Sequence, residues 1–76
     1  MNLFGYSNND EETLIKLAEV TLSATPDMLR EIAGFFNQCA SAIEENGDEW
    51  EHEHFVSNSA TDDPVPNIIV FNPDAT

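Results

Sequence analysis

Apolar residues recur at alternating steps of three and four through the middle of the chain, at Leu29, Ile32, Phe36, Cys39 and Ile43. Ala33 and Ala40 border that stripe on one side, Met28 and Phe35 on the other. Asp27, Arg30, Glu31, Gly34, Gln38, Ser41 and Glu45 fall opposite, a polar or small face. This period is that of a one-sided α-helix. Its ends are marked as well. Thr25 is a capping residue, Pro26 suits the first helical position, Asp27 complements the positive end of the dipole, and Asn46-Gly47 is a left-handed stop. The helix is therefore expected over 26–46, with Leu29, Ile32, Phe36 and Ile43 buried.

The flanking segments alternate with a period of two. Residues 18–22 do so before the helix, in a pattern that runs back to Leu14, and 2–6 form a shorter run with Ser7-Asn8-Asn9-Asp10 as the connecting turn. After the helix, Trp50, His52, His54 and Val56 alternate with Glu51, Glu53 and Phe55 across 49–56. Residues 67–71 are an apolar, β-branched run ending in Phe71, and 57–66 hold Asp62-Asp63-Pro64-Val65-Pro66, a loop by composition. The expected fold is α+β, in the order ββαββ: a four-stranded, mainly antiparallel sheet with one helix packed on one face. The chain is expected to be a single small domain over 1–76, with its core at about 14–72.

Cost assigns the strand faces. Burying Glu51 and Glu53 without partners would cost several kcal/mol each, so both are expected to face water. That sends Trp50, His52, His54 and Val56 toward the helix, together with Val20 and Leu22. One helix covers one face. The other would then show Glu19, Glu51, Glu53 and Phe55, a half-acidic, half-apolar surface of the kind that marks an interface.

Charge sharpens this picture. The 76 residues carry fifteen Asp and Glu against one Lys, Lys16, and one Arg, Arg30, for a formal charge of −13. Phosphate backbones and anionic lipid both need clustered basic side chains, so neither nucleic acid nor a membrane surface is an expected partner. No apolar run reaches the ~20 residues of a membrane span, and the first residues lack the layout of a secretory signal. The single cysteine, Cys39, forms no internal disulfide. Together these features point to a cytoplasmic protein. With 41% hydrophobic residues and five Phe, the chain has enough apolar mass to fold despite its charge.

Few residues carry chemistry. His52 and His54 point the same way from a strand and could share a metal ion, but no third ligand completes a motif, so no metal or cofactor is expected. Cys39 lies on the apolar stripe and has no thiolate-stabilising cation nearby in sequence, which marks it as a packing residue. The run Glu44-Glu45-Asn46-Gly47-Asp48-Glu49 lacks the ligand spacing of a calcium loop. No nucleophile triad, phosphate loop or carboxylate pair is present, and an enzyme is not expected. A field of one sign works against the compact state and serves steering toward a partner of opposite sign. The expected partner-binding residues are Glu19, Asp48, Glu49, Glu51, Glu53 and Phe55.

Residues 17–43, with Ala-Glu-Val-Thr-Leu leading to Pro-Asp-Met-Leu-Arg-Glu-Ile-Ala-Gly-Phe-Phe, resemble a group of bacterial immunity proteins. So do Trp50-Glu51-His52-Glu53-His54 and the closing apolar strand at 68–71. The resemblance is to immunity protein family thirty-two of the polymorphic toxin systems, and spans about residues 15–71. It implies a cytoplasmic antitoxin for a toxin domain delivered by type VI or contact-dependent secretion. The mechanism it implies is occlusion, with an acidic plug seated in the basic cleft of a nuclease or ADP-ribosyltransferase toxin. Two alternatives are an acidic nucleic-acid mimic that inhibits a DNA-binding protein, and a small metal-dependent regulator using His52 and His54.

Overall fold

The computed structural model describes residues 1–57 and 66–75. Most of the loop expected over 57–66 lies outside the described residues. The elements run in the order β1 (Leu3–Ser7), β2 (Asp10–Leu17), α1 (Pro26–Asn46), one 3-10 turn (Gly47–Glu49), β3 (His52–His54) and β4 (Ile69–Phe71). The class is α+β. The described strands form two separate two-stranded antiparallel sheets, β1–β2 and β3–β4, and not one sheet of four.

The helix begins and ends as its local chemistry dictates. Thr25 is extended at φ −72° and ψ 161°, and its Oγ1 accepts the Met28 amide at 3.2 Å, with Pro26 in the first turn. At the other end the Gly47 amide donates to the Ile43 carbonyl. Gly47 has φ 60° and ψ −136°, a conformation essentially closed to residues with a Cβ. Gly47→Ala should therefore lose about 1–2 kcal/mol through backbone strain alone, since no atom lies within 4 Å of the added methyl. Urea denaturation of the two proteins side by side measures this.

The first hairpin forms earlier than its alternation suggests. Leu3 pairs with Leu17, Phe4 with Lys16 and Gly5 with Ile15, after which the register breaks before Ser7 meets Asp10. Tyr6 thus stands opposite 11–14, and the surplus amides need other partners. Asp10 supplies them: its Oδ1 accepts from Glu12 N at 3.1 Å and Thr13 N at 3.2 Å. The Thr13 side chain first, and the Glu12 amide next, hold the Asp10 carboxyl below its usual value. This support for the turn is complete above the unfolded carboxylate's pKa and is lost as pH falls through the lowered folded one. Because the turn consumes 10–17 in pairing, residues 18–22 are not a strand. Val20 and Leu22 are exposed, where burial was expected.

The helix lies on the second hairpin. His52 pairs with Phe71, Glu53 with Val70 and His54 with Ile69. The ladder continues past both ends, with Phe55 N donating to Ile68 O and Asn72 N to Glu51 O, each at 2.8 Å. The Phe55 ring lies 5.4 Å from that of Phe35, with the planes inclined at 55°. Among the described residues the buried apolar ones are Ile32, Phe35 and Cys39. Leu29 at 43% and Phe36 at 44% exposure are not among them, contrary to expectation, and Ile43 and Trp50 are only part-buried. At ~100° per residue the covered side is turned about 60° from the expected one, onto Met28, Ile32, Phe35, Cys39 and Ala42.

Asn72 fixes that rotation. It is 2% exposed, the one buried polar residue among those described. Its Nδ2 donates to Gly47 O at 3.1 Å and to Trp50 O at 2.9 Å, while its Oδ1 accepts the Asp74 amide at 3.0 Å. One side chain thus ties the end of β4 to the exit from the helix. It turns toward α1 the strand face that carries Asn72, Val70 and Ile68, and with it Glu51, Glu53 and Phe55.

Candidate partner-binding surface

The two faces of the second hairpin are therefore exchanged relative to the expectation. His52 and His54 share the outward face with their cross-strand neighbours Phe71 and Ile69. The imidazole centroids are 5.4 Å apart in an edge-on arrangement. Phe71 is 61% and Ile69 51% exposed, so this face is an aromatic and aliphatic patch open to water. Phe55, expected there as a contact residue, is part-buried against Phe35 instead. The cost that placed Glu51 and Glu53 outward does not arise, because a two-stranded hairpin is narrow. Both glutamates lie on the helix side and still reach solvent past its flank. Glu53 borders the small hollow formed with Phe35, Cys39 and Trp50.

The acidic candidates divide accordingly. Asp48 and Glu49 form the 3-10 turn at the C-terminal end of α1, Glu51 follows, and Glu53 lies farther along beside Phe35 and Cys39; all four are exposed. Glu19 is elsewhere, on the exposed segment between β2 and the helix, and shares no sheet with Glu51 or Glu53. Little offsets this charge. Among the described residues the ion pairs are Arg30–Asp27 at 3.4 Å, on strongly exposed side chains, and His52 Nδ1 to Glu51 Oε1 at 3.1 Å. The helix dipole adds its own negative end at the same place. The exposed acidic residues thus lie in the turn that leads into β3 and on the helix-side face of the hairpin whose opposite face is the outward patch.

Other chemistry finds no assembly here. No three His, Cys, Asp or Glu side chains among the described residues are grouped so as to hold a metal ion. Cys39 is buried, and burial first, then the Glu53 charge, pushes its thiol pKa up, away from nucleophilic use. No helix among the described residues is long and apolar enough to cross a membrane.

The molecule is also more open than its mass requires. Its radius of gyration is 13.7 Å, against about 11.4 Å for a compact chain of this length. Its accessible surface is 6537 Å², against roughly 4,600 Å² for a compact monomer of this mass. Phe4, Tyr6, Leu14, Leu29, Phe36 and Phe71 are all exposed. So much uncovered apolar surface is unusual for a small monomeric domain.

Sequence reasoning did not single out Asn72. The signal for it was present: an Asn-Pro-Asp turn directly after an apolar strand, where an Asn side chain commonly bonds the backbone two residues on. Comparison with known proteins adds no relative, since no family model, curated protein or solved structure matches the chain.

Proposed function

We propose that this chain is an immunity protein, an antitoxin that acts in the cytoplasm by binding a cognate toxin domain and covering its active cleft. The observation that carries the proposal is the combination of two surfaces. The outward patch of His52, His54, Ile69 and Phe71 is carried by a narrow hairpin whose leading turn holds Asp48 and Glu49 and whose other face holds Glu51 and Glu53, all exposed. An apolar centre with a charged margin is the anatomy of a protein interface, and the sign of this margin selects a basic partner. Clefts that bind nucleic acid or a dinucleotide pyrophosphate are basic, so an acidic rim gains both association rate and selectivity there. Residues 17–43 and 50–54, which resemble immunity protein family thirty-two, support the same function.

The test is co-expression with the toxin domain encoded in the adjacent reading frame, with binding kinetics on the purified pair. Asp48→Lys with Glu49→Lys reverses the rim. Glu11→Lys with Glu12→Lys makes the same change in net charge on the β1–β2 hairpin. The rim variant should weaken binding about 10- to 100-fold, chiefly through slower association, and abolish protection. The hairpin variant should protect nearly as well as the parent. Equal loss in both would overturn the assigned surface, and full protection by both would overturn electrostatic occlusion.

A further inference from the structure

The covered side of α1 accounts for only half of its apolar arc. Leu29, Ala33, Phe36, Ala40 and Ile43 form a second stripe, centred about 100° around the helix from the side packed on β3–β4. Leu29, Ala33, Phe36 and Ala40 are exposed and Ile43 is part-buried. The steps along it are four, three, four and three, the spacing of a coiled-coil seam, sustained over two heptads. Residues of this stripe alternate large, small, large, small, large. Beside it run Arg30, Asn37 and Glu44, one residue every seven; Arg30 lies 3.4 Å from Asp27 on strongly exposed side chains and also borders the hollow it shares with Glu53 and His54.

We infer that this stripe is the interface with a second copy of the chain, packed antiparallel. Shape and charge both select that arrangement. In antiparallel register each large residue meets a small one: Phe36 lies over Ala40 of the partner subunit, and Ile43 over the partner's Ala33. Like flanks then face each other, so Arg30 meets the partner's Glu44 at both ends of the seam. The acidic exit of each helix, 44–53, comes beside the partner's positive N-terminal end and far from the partner's own acidic exit. A parallel pair would bring the two acidic exits together. The outward face of β3–β4 is not part of this seam, so the inference does not depend on the proposed antitoxin role.

Sedimentation of the full chain at physiological salt tests it. Expected is a concentration-dependent passage from one chain to two in the micromolar range. Phe36→Glu, at an exposed position, should give a monomer with an unchanged circular dichroism spectrum. Arg30→Glu and Glu44→Arg should each weaken the dimer several-fold, and the two together should restore it. The Glu44→Arg result is the sharpest, because it lowers the net negative charge of each copy. If only overall repulsion mattered, that variant would associate more tightly, and such a result would overturn the antiparallel seam. A chain that stays monomeric at every concentration, or a dimer that persists in a folded Phe36→Glu variant, would overturn the interface itself.

Discussion

Phe35→Ala should abolish cooperative unfolding at room temperature, while Phe36→Ala, one residue along, should leave the transition almost where it was. Phe35 is 9% exposed and carries the ring contact to Phe55, whereas Phe36 is 44% exposed. Truncating a buried Phe costs about 3–5 kcal/mol in transfer and cavity terms. A domain of 76 residues has in total about 4–11 kcal/mol of stability, and one whose described residues bury three apolar side chains belongs at the low end. At concentrations where the chain is monomeric, truncation at the exposed neighbour should cost under about 1 kcal/mol. Trp50 borders the same hollow as Phe35 and Cys39, so its fluorescence follows the transition, with circular dichroism as the second probe. Equal effects from the two substitutions would show that the helix is not rotated onto Phe35.

Asn72→Leu should also be damaging, for the opposite reason. It adds apolar volume but takes the side-chain donor from the Trp50 carbonyl and the acceptor from the Asp74 amide, while the Gly47 carbonyl keeps the Trp50 amide at 3.2 Å. Stranding a buried acceptor costs about 1–3 kcal/mol, and a loss of that order is expected. Asn72→Asp makes the test specific. A carboxylate there would face two carbonyl oxygens, so its folded-state pKa would be raised. The penalty is then smallest below the unfolded carboxylate's pKa and grows as pH rises through the folded one. Urea midpoints measured from acid to neutral pH should show the Asn72→Asp variant falling behind the parent as pH rises. A pH-independent difference would argue against the double-donor role.

The limits of sequence reasoning follow the same residues. Both ends of α1 were legible at Thr25-Pro26 and Asn46-Gly47, because caps depend on chemistry within four residues. The strand at the end of the chain was legible from its β-branched run. The rotation of the helix was not. The stripe of Leu29, Phe36 and Ile43 and that of Met28, Phe35 and Cys39 are neighbouring and equally apolar. The choice between them is made by Phe55 and Asn72, which are distant in sequence. Residues 18–22 alternate as a strand should, but alternation yields a strand only where a neighbour offers free amides and carbonyls. The Ser7–Asp10 turn had already committed the first segment to 10–17. At the candidate surface the acidic charge could be counted in advance, yet its position could not. Pairing Glu51, Glu53 and Phe55 on one strand face was correct, but the narrow width of a two-stranded hairpin removed the cost that had set that face outward.

Cys39 gives the molecule a clock. Cys39 is 4% exposed, with its thiol pKa raised by burial and by Glu53, so its modification is expected to be slow in the closed molecule and faster when α1 lifts from β3–β4. The modification rate therefore counts opening events one molecule at a time, in the native protein and without a label. Any ligand that holds the helix against the hairpin must slow that count, tenfold for each ~1.4 kcal/mol it contributes. A single native sulfur thus converts the strength of any contact that holds the helix against the hairpin into a time that can be read directly.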